Sequence, residues 1–137
     1  MAATVRAVDY FYVMVKDRPG EACRLLSQLA AAHINLLAFS AIPAGPLLTQ
    51  LVIFPASAEN LARAAENTGL TLSGSQRAFL VQGDDQLGSL VDVHQKLCDA
   101  GINVVSSSGV ADGRGGYGYV LYVRPEEYDK ASSVLGC

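Results

Sequence analysis

A chain of 137 residues that is 50% hydrophobic and 17% charged holds enough apolar material for one ordinary domain or two very small ones. Its net charge of −3 and pI near 5.2 repel a phosphate backbone, and no run of Lys and Arg offsets this locally, which argues against nucleic acid as a partner. A mean hydropathy of +0.26 points to apolar surface covered by a partner chain, hence to an oligomer.

The opening Met1-Ala2-Ala3-Thr4-Val5-Arg6 has no apolar signal-peptide core, and no stretch approaches the roughly 18 apolar residues of a membrane span. A soluble, cytoplasmic protein without a membrane partner is the expectation. Cys23, Cys98 and Cys137 are odd in number and far apart, which speaks against a disulfide framework or a zinc site.

Taken in order, the first element is an alternating run, Phe11, Val13 and Val15, which predicts a strand over 10–16. Lys16-Asp17-Arg18-Pro19-Gly20 then turns the chain into a helix over 19–32. Pro19 suits the first helical position, and Gly20, with no Cβ, lets another group approach the backbone. The helix carries Ala22, Leu25, Leu26 and Leu29 at helical spacing. Strands follow over 36–42 and 47–54, then a helix over 58–68 that Ser57 caps and Gly69 ends. Leu70-Thr71-Leu72-Ser73 reads as a fourth strand.

The pattern then recurs. Phe79 falls 68 residues after Phe11, Gly88 after Gly20 and Asn103 after Asn35, an internal repeat. The second copy predicts strands over 77–82, 103–110 and 117–123, and helices over 87–100 and 126–135. Units of residues 1–75 and 76–137 result, joined by the short Ser73-Gly74-Ser75-Gln76. Strand, helix, strand, strand, helix, strand is the split βαβ, ferredoxin-like arrangement: an α+β fold with both helices on one face of an antiparallel sheet. The second copy ends at Cys137 without its last strand. The same offset maps the fourth strand of the first copy onto the N-terminus, so residues 3–8 are expected to form that missing edge.

Few residues suggest chemistry. Gly113-Arg114-Gly115-Gly116-Tyr117-Gly118 matches G-x-G-x-x-G, but Tyr117–Val123 alternates like a strand, whereas a dinucleotide fingerprint requires a helix there. A hairpin loop is the reading. His94 sits on an apolar helical stripe and reads as a packed histidine with one hydrogen bond. Neither it nor His33 has the spacing of a triad or a metal motif. Tyr10, Tyr12, Tyr117, Tyr119 and Tyr122 lack the glycine-aromatic signature of an RNA-recognition module and fit an interface or edge role.

A strand, then Asp17-Arg18-Pro19-Gly20, a helix, and Ile34-Asn35 opening the next strand resembles the ACT domain, the small regulatory module that binds amino acids in many biosynthetic enzymes. The resemblance covers nearly the whole chain, with a looser second copy in which Gln86 and Leu87 replace Arg and Pro. It implies a tandem ACT-like, allosteric regulatory protein, a homodimer with no catalysis, no cofactor and no metal, whose ligand lies at an interface between modules. The matching positions are Val15, Asp17, Arg18, Pro19, Gly20 and Asn35, with Asp85, Gly88 and Asn103 in the second copy.

The chemistry agrees. A helix N-terminus suits a carboxylate, an aspartate suits an ammonium, and a carboxamide suits either. Each residue also has an ordinary role open to it: Asp17 as a helix cap, Asn35 as a turn residue, Arg18 as a solvated charge. In the second copy, Asp84 beside Asp85 weakens the case for a carboxylate and tips the reading towards scaffold. The alternative to a sensor is a ferredoxin-like interaction module with a vestigial site, and a regulated protein partner is compatible with either.

Overall fold

The computed structural model describes residues 3–137, which fall into two compact units, residues 9–76 and residues 3–8 with 77–137. Both are α+β, with antiparallel strand pairs.

The first unit contains the end of β1 (Thr4–Lys16), α1 (Glu21–Ala31), β2 (Leu36–Pro43), β3 (Leu48–Pro55) and α2 (Ala58–Thr68). Strand β3 runs between β1 and β2, with Phe11 opposite Ile53 and Val13 opposite Leu51. Period-two spacing puts these four side chains on one sheet face. Leu25 and Leu29 of α1 and Leu61 of α2 pack against them, so both helices cover that face. Ser57 accepts from the Asn60 N–H at 3.2 Å, and Gly69 closes α2 with φ of 72°. These two caps are the ones the sequence announced.

Two expectations for this unit need correction. Residues 70–73 form no regular strand: the Ser73 N–H donates to the Tyr12 carbonyl at 3.0 Å, but the Tyr12 N–H donates to Ser73 Oγ at 2.9 Å. A side-chain oxygen has taken the place of a ladder carbonyl, which ends the ladder there, while Leu70 and Leu72 still pack on the core. Nor does Pro19 begin the helix. Gly20 is the N-cap, with φ of 92°, a left-handed conformation that a side chain would resist.

The second unit contains the start of β1, β4 (Gln76–Asp84), α3 (Val91–Asp99), β5 (Ser106–Ala111), β6 (Gly116–Tyr122) and α4 (Tyr128–Leu135). Its strand order is β1, β4, β6, β5. Phe79 lies opposite Leu121 and Val81 opposite Tyr119, and these four join Val93, Leu97, Ile102, Tyr128, Ala131 and Leu135 in the core. Ala3 and Val5 pack against its rim. The Tyr128 ring stacks on Phe79 at 4.6 Å, its hydroxyl donates to the Ala78 carbonyl, and the Arg77 guanidinium lies 4.0 Å from its centre.

Helix α3 starts at Val91, four residues later than the pattern implied. The cause is local: Ser89 Oγ accepts from the Gln86 N–H at 3.0 Å, and Gly88 is left-handed with φ of 76°. A closed turn therefore precedes the helix. Likewise α4 follows a single 3₁₀ turn, Pro125–Glu127. No helix among the described residues is long and apolar enough to cross a membrane.

Candidate functional site

At the first strand-to-helix corner, the Asp17 N–H donates to the Leu47 carbonyl and the Arg18 N–H to the Lys16 carbonyl. The Asp17 side chain is exposed and does not cap α1, which has no side-chain cap at all. Glu21, the first residue of the helix, is instead drawn in. Its side chain is only 11% exposed, and its carboxylate takes Arg18 Nε at 3.1 Å and Arg24 Nη2 at 2.8 Å. Both guanidinium groups remain more than half exposed, so each pair contributes about 0.5–1 kcal/mol at most. What the trio does is fix the positions of charges.

Those charges line an open depression of about 550 Å³, whose walls are the end of β1 (residues 13–16), Arg18 in the turn after it, the α1 face bearing Glu21, Arg24 and Gln28, and residues 68–71 after α2. Lys16 adds a third cation. Of the residues implied by the family resemblance, Val15 and Arg18 line this depression. Asp17, Pro19, Gly20 and Asn35 do not: Asn35 is exposed, and its carbonyl accepts from the Ala56 N–H at 2.8 Å.

The second unit has the equivalent hollow, of about 280 Å³, and its lining follows from the first by the repeat offset. Asp84 stands for Lys16, Gln86 for Arg18, Ser89 for Glu21, Asp92 for Arg24 and Lys96 for Gln28. Ala3 and Val5 take the side that residues 68–71 supply in the first unit. The charge has reversed. Three cations and one acid line the first hollow, two acids and one cation the second. Tyr117 also lines the second, its hydroxyl buried without a hydrogen-bond partner among the described residues, and burial raises its pKa.

Asp85 and Gly88 line a neighbouring depression of about 440 Å³ with Val110 and Tyr117, and Gly88 also lines the first-named hollow of this unit. Asn103 is exposed and lines neither.

The glycine-rich segment is a hairpin turn between β5 and β6. Asp112 Oδ1 accepts from the Arg114 N–H at 2.6 Å and the Gly116 N–H at 3.1 Å, and these bonds hold its pKa below 3.8. His94 Nε2 lies 2.6 Å from the Tyr119 hydroxyl, a packed histidine with one partner. Cys23, Cys98 and Cys137 are all exposed. Lys16, Glu21, Arg24 and Gln28 are the cavity residues that sequence reasoning missed. The signal was Arg18-x-x-Glu21-x-x-Arg24, two consecutive i, i+3 ion pairs.

No family model matches the chain, and no curated protein sequence does. Solved structures do. A protein from Bacteroides thetaiotaomicron is 15% identical with a TM-score of 0.79, over 96% of this chain and 88% of that one. The ligand-free regulatory subunit of aspartate kinase from Thermus thermophilus is 13% identical with a TM-score of 0.65, over 99% and 95%. That of Thermus flavus is 13% identical with a TM-score of 0.62, over the same shares. At such identities the likeness is one of fold, and the fold is ACT-like.

Proposed function

We propose that the protein is a regulatory module of two ACT-like units that binds a small molecule, an amino acid, at the strand-to-helix corner of its first unit, and that it performs no chemistry itself. One observation carries this reading: the end of β1 and the first turns of α1 bound an open hollow of about 550 Å³ rimmed by fixed charges. The resemblance to regulatory subunits of aspartate kinase supports it. A ligand that favours one arrangement of the protein shifts its population by as much as the difference in affinity.

A thermal-shift screen with the twenty amino acids tests the proposal. A specific ligand raises the melting temperature in proportion to the logarithm of its concentration above Kd. No shift with any of them overturns the sensor reading.

One observation favours a second reading, an interaction module. Leu47 is 76% exposed and Val110 73%, at the β2–β3 turn and on β5, with Ile42 and Leu48 nearby also exposed. Apolar side chains of this size in water suit a second copy of the chain, in keeping with the expected homodimer. Sedimentation of the wild type against Leu47→Ser and Val110→Ser tests it. A monomer in every case removes that reading.

A further inference from the structure

We infer that the ligand of the first unit's hollow is an acidic amino acid, with Arg18, Arg24 and Lys16 taking its two carboxylates and Glu21 its ammonium group. The inference rests on the proposed amino-acid site and adds the class of side chain. Three of the chain's ten Lys and Arg residues line this one hollow, in a protein whose net charge is −3. That concentration is specific to the first unit: the offset positions in the second hollow carry Asp84, Gln86 and Asp92. The apolar frame of the repeat therefore does not require cations here.

The charges are also complementary in sign. Three cations and one acid face a molecule with two carboxylates and one ammonium. Glu21 holds both guanidinium groups. Each guanidinium presents five N–H donors, so both can serve an incoming carboxylate while Glu21 stays within reach of the ammonium. Gln28, one turn beyond Arg24, lines the same wall and offers a neutral donor and acceptor. A basic ligand would meet three like charges, and a neutral one, with a single carboxylate, would offset less of the site's excess of cations.

Calorimetric titration of the intact chain with L-aspartate, L-glutamate, succinate, glutarate, inorganic phosphate, L-leucine and L-lysine tests this. The expected result is binding of L-aspartate or L-glutamate at least tenfold tighter than any other probe. Arg24→Gln should weaken it tenfold or more, and Glu21→Gln should erase the preference over the plain diacid. If Glu21→Gln fails to fold, Lys16→Gln, which leaves both Glu21 pairs in place, should still weaken binding severalfold. Tighter binding of leucine or lysine overturns the acidic class and leaves the amino-acid reading standing. Equal binding of the diacids or phosphate by the wild type overturns the role given to Glu21, and with it the inference. Binding of none of the probes at millimolar concentration, together with a flat thermal screen, overturns both readings.

Discussion

The two units share a frame and differ at its rim. Phe11 and Phe79, Val13 and Val81, Leu25 and Val93, Leu29 and Leu97 stand at matching places in the two cores, whereas Lys16 and Arg24 stand where the second unit has Asp84 and Asp92. Buried positions are held to a shape by dense packing. Rim positions are solvated and free of that constraint, so on the proposed reading the reversed charge belongs to binding rather than to folding. The second unit also closes its corner with the Ser89 turn, and its hollow is about half the volume of the first, 280 against 550 Å³.

The largest effect should come from breaking the shared frame. Leu29→Ala and Leu97→Ala remove matching side chains that are 3% and 1% exposed, and each should cost about 2–5 kcal/mol in urea unfolding. Hydrogen exchange should place each loss first in its own unit. Truncating residues 1–8 should remove the Ala3 and Val5 contacts and cost on the order of 2 kcal/mol, with lost protection concentrated in residues 77–137. Loss confined to residues 9–76 would reject the assignment of that segment to the second unit.

Exchanging a single frame residue sharpens the comparison. Gly83 occupies the place of Val15, and a Cβ there would lie 3.1 Å from the Ala3 Cα and 3.3 Å from the Tyr117 ring. Gly83→Val should therefore destabilise by about 1–3 kcal/mol, read from the melting curve. The reverse holds at the end of the first helix. His33 adopts a left-handed φ of 59° where the second unit has Gly101 at 71°. His33→Gly should stabilise the protein by about 1 kcal/mol, seen as a higher midpoint in urea.

The smallest effect is a pH dependence confined to the second unit. Hydrogen bonds from the Arg114 and Gly116 N–H groups depress the Asp112 pKa, so its folded value lies below the unfolded one. Its contribution is then complete above the ordinary value of 3.8 and fades as the pH falls through the lower folded value. Exchange of the Arg114 and Gly116 amides should quicken, relative to neighbouring amides, across that acidic window. In Asp112→Asn the acid-specific change should vanish.

The α+β character was legible because periods of two and of 3.6 residues alternate along the chain and recur after 68 residues. The hairpin at 112–116 and the packed His94 were legible for the same reason, since β6 alternates and His94 lies on the α3 stripe. Boundaries were not. Whether Ser73 or Ser89 spends its hydroxyl on a backbone N–H depends on where the chain brings that group, which no local pattern states. The candidate site was half legible. Val15 and Arg18 were named through the family resemblance, whereas Glu21, Arg24 and Gln28 lie on the α1 flank, where polar residues ordinarily signify solvent. Only the closure of the hollow by residues 68–71 turns that flank into a wall.

Strand β1 lends its first residues to one unit and its last to the other, and the peptide returns at residues 76–77, so the backbone passes between the units twice. A protease that nicks either passage alone leaves the pieces tethered through the other. Shedding one unit takes two cuts, and a fragment starting at residue 77 would leave with the flank of β4 stripped bare. Such a fragment should be recovered as an aggregate rather than as a free domain. The second unit thus takes its edge from residues that precede the first in the chain, and connectivity ties the two halves together as firmly as any contact.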